Sequence, residues 1–237
     1  MKVLELFSGS GHISDAFRER GHKAWKVDWS KDLDANLHVD ISQLTAAQVR
    51  ELCSGRPDVI WVSPDCTTFS IAATAKGGGL KHRESGTYAP KTDYAKFCDM
   101  VDQHVINLIA ELKPKYWFIE NPRGMMRKMP WMISIADKLP GGSRHTVTYC
   151  QYGGRTMKPT DIWTNHPSPQ FKQVCKNGAP CHVAAPRGSK TGVQGGVEWQ
   201  NIGAQGMYSR AIMRGIMPDK LISHIIDITE SELGGEV

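Results

Sequence analysis

Cys66 is the residue whose type and position best suit covalent chemistry. It follows an apolar run, residues 58–62, which is bounded by Pro57 and Pro64 and predicts a buried strand of a parallel sheet. In open α/β sheets, ligands and chemistry lie just beyond the carboxyl ends of the strands. A thiolate is the strongest side-chain nucleophile near neutral pH. The alternative is a buried structural cysteine, but hydroxyl residues and a Gly-rich basic loop after Cys66 favour a reactive one.

A carboxyl group occupies the corresponding position after a second predicted strand. Residues 116–119 form an apolar run that ends at Glu120. The stretch before it, residues 93–112, repeats apolar residues at helical spacing, and Pro114 ends that pattern. Glu120 is therefore a second reactive group predicted at the carboxyl end of a strand.

The start of the chain predicts a nucleoside site. Short strands are predicted at residues 3–7, 23–27 and 37–41, with a helix at residues 13–20. The Gly-rich turn after the first strand offers free backbone N–H groups to a ligand. Asp28 suits the hydroxyls of a ribose, Trp29 offers a stacking face for adenine, and Asp40 ends the third strand. The third glycine of a dinucleotide fingerprint is missing, so a nicotinamide site is poorly supported. The alternative is that Asp28 and Asp40 are ordinary loop acids.

Further elements complete an α/β pattern. Helices are predicted at residues 46–53, 132–139 and 218–228, and an edge hairpin at residues 144–151 and 161–163. The stretch from Asn165 to about Gln205 is irregular, polar and rich in Pro and Gly, which is typical of a small inserted module. The last helix is expected to pack back on the layer of the first strand.

Composition and charge set the class of protein. A chain of 237 residues with 40% hydrophobic content can bury one core, and its net charge is +5. Two loop-like stretches are basic, at residues 76–91, which include Arg83, and at residues 165–214. Such loops suit a phosphate backbone, although solvated surface is the equal alternative. The sequence predicts no signal peptide or membrane span, and six scattered cysteines suit a reducing cytosol.

The order of these motifs resembles that of the cytosine C5 methyltransferases. The matching segments are Leu6-Phe7-Ser8-Gly9-Ser10-Gly11, Val27-Asp28-Trp29, Val39-Asp40-Ile41, Pro64-Asp65-Cys66-Thr67-Thr68-Phe69-Ser70, Glu120-Asn121-Pro122-Arg123 and Arg214-Gly215-Ile216-Met217-Pro218. The resemblance implies an α/β, Rossmann-like S-adenosylmethionine-dependent methyltransferase fold with a small inserted target-recognition region. It divides the chain into a catalytic core (1–164), a recognition insert (165–205) and a C-terminal segment packing back on the core (206–237).

The resemblance also implies roles for individual residues. Cys66 resembles the nucleophile that adds to carbon 6 of cytosine, and Glu120 the acid that stabilises the ring at N3. The target base is expected to be flipped out of double-stranded DNA, and the loop from Ser70 to Thr92 to close over it. The cofactor, S-adenosylmethionine, is expected to contact Phe7, Ser8, Gly9, Gly11, Asp28, Trp29, Asp40, Ile41, Pro64 and Arg214.

Some positions depart from the family pattern. Asp65 stands where the family usually has a second proline, and Arg155 and Lys158 are the two candidates for the arginine that meets the cytosine ring oxygen. Arg214 replaces an asparagine near the cofactor, and an arginine there could pair with a carboxylate. One hypothesis is therefore a carboxylate-bearing cofactor relative and carboxymethyl transfer. The alternative is that Arg214 binds a DNA phosphate or the methionine carboxylate.

Other functional readings stay open at this point. RNA, a free nucleotide, or a catalytically inactive DNA-binding homologue are alternatives to DNA methylation in the cytoplasm of a bacterial or phage-infected cell, as in restriction-modification. No obligate protein partner is evident. Cys175, Cys181 and His182 are possible zinc ligands, with Cys150 or His166 as a conceivable fourth. Their spacing matches no common zinc pattern, so the sequence assigns no metal.

Overall fold

The computed structural model describes residues 1–70, 80–154, 156–176, 178–182 and 216–231. Within these residues, the strands form one seven-stranded sheet. In chain order they are β1 (Lys2–Leu6), β2 (Lys23–Asp28), β3 (Leu37–His38), β4 (Val59–Val62), β5 (Tyr116–Pro122), β6 (Ser143–Thr148) and β7 (Pro159–Thr164). A strand is found at each predicted position, but β3 is shorter than the predicted residues 37–41, because Asp40 caps a 3₁₀ helix that begins at Ile41. β7 and β6 are neighbours and β6 lies at the edge of the sheet, as the predicted edge hairpin requires.

The order of the sheet is β3-β2-β1-β4-β5-β7-β6, and β1 to β5 run parallel. β7 pairs with β5 in the antiparallel direction. The chain moves outward in one direction from β1 to β2 and β3, and in the other direction from β4 to β5. This reversal makes the carboxyl ends of β1 and β4 a topological switch point, where ligands bind in such sheets.

Six helices accompany the sheet in the described part of the chain. They are α1 (His12–Glu19), α2 (Ala46–Leu52), α3 (Asp93–Leu112), α4 (Pro130–Ile133), α5 (Ile135–Lys138) and α6 (Asp219–Ser231). The predicted helix at residues 93–112 is confirmed as α3, which begins where the Thr92 side chain accepts a hydrogen bond from the Ala95 backbone N–H. The predicted continuous helix at 132–139 is wrong, because the backbone leaves helical geometry at Ser134 and separates α4 from α5.

The core lies between the central strands and the helices that cover them. All four residues of β4 are buried, as are those of β1 after Lys2. One face of α3 supplies apolar side chains to this core, including Val101, Val105, Ile106, Leu108, Ile109 and Leu112. A strand buried on both faces is typical of a parallel sheet covered by helices, so β1 and β4 hold the residues at their carboxyl ends in fixed positions.

The described residues form two compact units. The first contains residues 1–146 and 160–169, and the second contains the described parts of 147–159 and 170–237. In the second unit, α6 presents buried apolar residues, and the ring of His224 lies 5.8 Å from the ring of Tyr152. The predicted divisions at residues 164 and 205, and the packing of the last helix on the first strand's layer, stay predictions. None of the described helices combines the length and apolarity needed to cross a bilayer.

Candidate active site

Cys66 follows β4, and Glu120 lies near the carboxyl end of β5, the neighbouring parallel strand. Val62 at the end of β4 pairs with Ile119 in β5, so Glu120 is one residue beyond this pair and Cys66 is four residues beyond it. Glu120 is buried and Cys66 is partly exposed. The two reactive groups predicted from sequence therefore lie at the ends of neighbouring strands, next to the switch point between β1 and β4.

Two hydrogen bonds join the loop that contains Cys66 to the segment after Glu120. The Asn121 side chain donates to the Pro64 carbonyl at 3.2 Å, and the Met125 backbone N–H donates to the Phe69 carbonyl at 2.7 Å. Gly124 packs so closely that a Cβ there would overlap the Phe69 carbonyl oxygen. These contacts bracket Cys66 on both sides and fix its loop against the end of β5.

Arg83 supports the same loop from within the protein. It is fully buried and forms a two-point ion pair with Asp99, with donor–acceptor distances of 2.6 and 3.2 Å. Its Nε donates to the Thr68 carbonyl at 2.9 Å, and its guanidinium lies 4.2 Å from the centre of the Phe69 ring. The sequence-based interpretation of Arg83 as part of a phosphate-binding loop is wrong, because burial and pairing with Asp99 occupy its charge.

The carboxylate next to Cys66 is directed toward α3. Asp65 accepts hydrogen bonds from the Thr67 backbone N–H at 2.6 Å and from the Tyr94 hydroxyl. Burial alone would raise the pKa of the Asp65 carboxyl, but these hydrogen bonds outweigh burial and lower its pKa. Burial and the hydrogen bond to Asp65 raise the pKa of the Tyr94 phenol. Asp65 is therefore ionised at neutral pH, and both of its carboxylate oxygens accept hydrogen bonds.

A cavity of about 460 Å³ lies beside these loops. Its lining is formed by Phe7, Trp29, Asp40, Ile41, Asp65, Tyr94, Phe97, Cys98, Val101 and Asp102. Four of the predicted cofactor residues are therefore brought together: Phe7, Trp29, Asp40 and Ile41. The volume falls in the range of about 300–1,000 Å³ that is typical of small-molecule sites. The part of the lining supplied by α3 was not predicted from the sequence.

The cavity presents both an aromatic face and polar groups. Trp29 is 70% exposed, which leaves a face of its indole open to a planar ligand. Asp40 begins a short 3₁₀ helix by accepting the Ser42 backbone N–H at 2.9 Å, so its carboxylate is held in place. Phe7 has a φ of 55°, a left-handed conformation that is costly for a bulky residue and turns the chain sharply at the end of β1.

Other predicted cofactor residues form the frame of this cavity. The Asp28 carboxylate accepts the Gly9 backbone N–H and the Ser30 backbone N–H, each at 3.0 Å. Gly11 has a φ of 74°, and a Cβ there would overlap the Lys26 side chain, so the turn requires glycine at this position. Ser8, Gly9, Gly11, Asp28 and Pro64 are not among the lining residues, and their direct contact with a cofactor stays a prediction.

Buried polar atoms beside the cavity lack hydrogen-bond partners. Among the described residues, these include Ser8 Oγ, Asp102 Oδ2 and Asn121 Oδ1. Burial, followed by the neighbouring Asp99 charge, raises the pKa of the Asp102 carboxyl well above its ordinary value. A protonated Asp102 can donate a hydrogen bond to a ligand acceptor in the cavity. The sequence carried a signal for this residue, since an acid at position 102 interrupts the apolar spacing of the helix.

Glu5 holds the start of α1, and with it the turn that frames the cavity. Gly11 provides no side-chain cap for α1, and the buried Glu5 carboxylate instead accepts the Ser14 backbone N–H at 2.9 Å. Burial raises the pKa of Glu5 from 4.5 to about 7, against the lowering effects of the Ser14 hydrogen bonds and the Lys26 charge. The folded state therefore binds a proton at Glu5 that the unfolded chain has already released between these pH values.

Glu5→Gln should remove a pH-dependent loss of stability. The pKa of Glu5 is higher in the folded state than in the unfolded chain. Its contribution to the unfolding free energy is therefore full below the unfolded-state pKa and is lost as pH rises through about 7. Between about pH 5 and pH 8.5 the wild type should lose about 2–3 kcal/mol of unfolding free energy relative to the variant. Urea unfolding of both proteins at the two pH values measures this difference. Parallel pH profiles would contradict the buried, proton-binding role of Glu5.

Two of the remaining predicted site residues, Arg155 and Arg214, lie outside the described residues. The Lys158 ammonium lies 4.4 Å from the centre of the Tyr149 ring in the second unit. The choice between Arg155 and Lys158 for the cytosine ring, and the role of Arg214, stay predictions.

Residues 1–130 match the C-5 cytosine-specific DNA methylase family, which is more than half of the chain. The chain belongs to this family. A curated relative, the Probable DNA (cytosine-5)-methyltransferase of Frog virus 3 (isolate Goorha), is 27% identical over 168 residues, covering 70% of this chain and 71% of that protein. The family predicted from the ordered motifs is therefore confirmed, and with it the class of enzyme that the family represents.

A solved structure supports the fold. A DNA modification methyltransferase encoded within an E. coli prophage superposes with a TM-score of 0.51 at 18% identity, covering 69% of this chain and 46% of that one. At this identity the likeness concerns the fold alone, and it confirms the Rossmann-like methyltransferase fold predicted from the sequence. The present chain spans less than half of that protein, whose remaining length has no counterpart in the match.

Proposed function

We propose that this protein transfers a methyl group from S-adenosylmethionine to carbon 5 of cytosine in DNA. The observation that carries the proposal is the placement of Cys66 just after β4 and of Glu120 near the carboxyl end of the adjacent β5, with hydrogen bonds joining the two segments, in a chain of the cytosine methylase family. A nucleophile and an acid at one edge of the sheet are the two groups that addition to a pyrimidine ring requires.

Each group has a defined task in this proposal. The Cys66 thiolate forms a bond to carbon 6 of the cytosine ring, and Glu120 provides a proton to N3 so that the ring accepts the electron pair. Carbon 5 then has enamine character and would form a bond to the methyl group that bound S-adenosylmethionine supplies, as the bond from that methyl to the sulfonium sulfur breaks. Release of the carbon-5 proton to a base, followed by breaking of the bond between carbon 6 and sulfur, returns the Cys66 thiolate. Return of the N3 proton to Glu120 restores the aromatic ring.

The cavity fits the nucleoside part of the cofactor. Trp29 offers an open aromatic face, Asp40 a fixed carboxylate, and Asp102 a buried carboxyl group with an oxygen that lacks a protein partner. An adenosine presents a stacking face, donors and acceptors that complement these groups. When bound, S-adenosylmethionine supplies an electrophilic methyl group. Phe7 and Ile41 would contribute apolar contacts and exclude water from this site.

DNA is the proposed substrate, with the target cytosine flipped out of the duplex. A base within the stack cannot reach a thiol at the end of a strand, so the loop from Ser70 to Thr92 is proposed to close over an extruded base. Residues 71–79 of this loop lie outside the described residues. Arg83, in the described part of the loop, contacts Thr68 and Phe69 just after Cys66. Closing the loop on a fixed base would exclude water during the reaction.

The test is methylation of mixed-sequence DNA by the purified protein. Bisulfite sequencing combined with mass analysis of the released nucleosides should show 5-methylcytosine at a restricted set of sites. A product carrying a carboxymethyl group would instead support the hypothesis based on Arg214, and absence of any modified cytosine would contradict the proposed activity. A matched RNA substrate distinguishes DNA from RNA by the rate of methylation. A free nucleotide is distinguished by salt, because only binding to a polymer should weaken steeply as the salt concentration rises.

Trp29→Ala tests the cofactor site within the same assay. Base stacking on an aromatic side chain contributes about 1–3 kcal/mol, so the KM for S-adenosylmethionine should rise by about 5- to 150-fold. Ile133→Ala is a matched control, because Ile133 is also 70% exposed but does not line the cavity. Equal cofactor KM values for the two variants would remove Trp29 from the proposed site.

A further inference from the structure

Four metal-binding side chains converge in the second compact unit, and none of them has been assigned to methyl transfer. They are Cys150, Cys175, Cys181 and His182. One ligand atom from each lies within 4.8 Å of the other three. The sequence groups Cys175, Cys181 and His182 as possible ligands and offers either Cys150 or His166 as the fourth ligand. The structure brings Cys150 to the group, whereas His166 is buried in the first unit with its ring 4.8 Å from that of Tyr116.

The ligand atoms are spaced closely enough to share one metal ion. The Cys175 and Cys181 sulfurs are 3.2 Å apart, and each lies 3.6 Å from His182 Nδ1. Around a zinc ion with ordinary bond lengths, the edges of a tetrahedron are about 3.5–3.8 Å, so both sulfur–nitrogen separations fall in this range and the two sulfurs would move apart by about 0.5 Å on binding. A disulfide would need a sulfur–sulfur distance of about 2.05 Å, and the described cysteines are all free. The geometry thus favours a shared ion over an oxidised pair.

Local structure positions each ligand independently of any ion. Cys150 is buried in the 3₁₀ turn Tyr149–Tyr152, directly after β6. The Cys175 backbone N–H donates to Thr148 Oγ1 at 2.9 Å, which holds its segment against the end of that strand. Gly178 has a φ of 85°, a left-handed conformation within the turn that returns the chain toward Cys181.

A neighbouring amide completes the surroundings of one sulfur. The Gln151 side chain Nε2 lies 3.6 Å from Cys181 Sγ and can donate to it. Metal-bound thiolates are commonly stabilised by such outer hydrogen bonds. Gln151 follows Cys150 directly in the chain, so one short turn provides both a ligand and a donor to another ligand.

We propose that Cys150, Cys175, Cys181 and His182 bind a structural zinc ion. Three thiolates and one imidazole are ligands that favour zinc over hard cations, and four protein ligands leave no position for a reacting water. Each thiol releases its proton on binding, so the site forms without any change of oxidation state. The described residues 171–176 and 178–182 contain no helix or strand, and the ion replaces the core that this segment lacks.

The spacing explains why the sequence assigned no metal. Common zinc motifs pair two ligands within a few residues of each other, and then repeat the pair. Here Cys181 and His182 are adjacent, Cys175 lies beyond an intervening turn, and Cys150 comes from a different element earlier in the chain. The fourth ligand is therefore identified by the fold and not by a local pattern.

Metal analysis of the full-length protein, purified in reducing buffer without added metal, tests the proposal. We expect about one zinc ion per chain. After removal of the metal, addition of Co²⁺ should produce thiolate-to-cobalt charge-transfer absorption together with the visible bands of tetrahedral cobalt. Addition of Zn²⁺ should then displace the cobalt and abolish both signals.

Variants identify the ligands. Cys175→Ser should lose most of the zinc and weaken the charge-transfer absorption, whereas Cys66→Ser removes a thiol elsewhere and should keep the full metal content. If Cys175→Ser fails to fold, the cobalt spectrum of the wild type still decides the question. Protein that contains no zinc and gives no charge-transfer band with Co²⁺ would overturn the proposal, as would a metal content that Cys175→Ser leaves unchanged. Methyl transfer enters neither measurement, so the outcome is separate from that of the proposed function.

Discussion

Cys66→Ser should lower the rate of DNA methylation by on the order of 10³-fold or more, without loss of folding. A serine hydroxyl is protonated at neutral pH and is a far weaker nucleophile toward carbon 6 of a pyrimidine than a thiolate. The partly exposed position of Cys66 and the hydrogen-bonded frame of its loop accommodate the exchange of sulfur for oxygen. The variant should therefore bind DNA and S-adenosylmethionine with affinities close to those of the wild type.

DNA that contains 5-fluorocytosine provides a direct measurement of the bond to sulfur. Fluorine at carbon 5 cannot leave as a proton does, so the bond between carbon 6 and sulfur persists after methyl transfer. Wild-type protein should form an adduct that survives denaturing electrophoresis, and Cys66→Ser should not. Turnover at the wild-type rate by Cys66→Ser would refute the covalent mechanism.

Cys53→Ala is the matched control for thiol loss. Cys53 is fully buried, and burial raises the pKa of its thiol to about 12, so it contributes no thiolate at neutral pH. Cys53 directly follows α2 and lies close enough to Lys2, the first residue of β1, for the Lys2 charge to affect its thiol. It is therefore near the amino end of β1, whereas Cys66 follows the carboxyl end of β4. At a temperature where both proteins are folded, Cys53→Ala should form the fluorocytosine adduct to the same extent as the wild type.

Elements defined by local periodicity were predictable from the sequence. The apolar run before Cys66 became β4, and the run before Glu120 became β5, because continuous apolar residues bounded by prolines or polar residues suit a strand that is buried on both faces. The helix at residues 93–112 combined apolar spacing with a capping threonine, so its bounds also followed from local signals. These local patterns are sufficient to predict Cys66 and Glu120 at the carboxyl ends of two parallel strands.

Features that depend on distant residues were not predictable in the same way. A basic residue in a Gly-rich loop predicts an exposed charge, yet Arg83 turns inward because Asp99 on α3 offers a carboxylate at the right place. The cavity lining from α3 and the grouping of Cys150 with Cys181 likewise join parts of the chain that carry no shared local pattern. Such pairings require the register of whole elements, which single-sequence periodicity does not contain.

Arg83→Met should destabilise the protein by about 3–5 kcal/mol, the cost typical of leaving one partner of a buried ion pair without its countercharge. The Arg83 and Asp99 side chains are 0% and 7% exposed, so water cannot solvate the carboxylate that remains. Methionine fills a similar volume but donates no hydrogen bond. Chemical unfolding of the variant and the wild type at neutral pH measures the difference. Lys91→Met is the matched control, because Lys91 is exposed and the change there should cost less than about 1 kcal/mol.

The double variant Arg83→Met with Asp99→Leu separates stability from positioning. Replacing both charges with apolar side chains removes the buried unpaired carboxylate, so much of the lost stability should return. Arg83 also donates to the Thr68 carbonyl at 2.9 Å and to Thr68 Oγ1 at 3.2 Å, and these bonds to the loop after Cys66 are not restored. The double variant should therefore remain slow in methyl transfer, mainly through kcat, although it is folded. Recovery of full activity together with stability would show that Arg83 acts only on folding, and an Arg83→Met variant as stable as the wild type would contradict the buried ion pair.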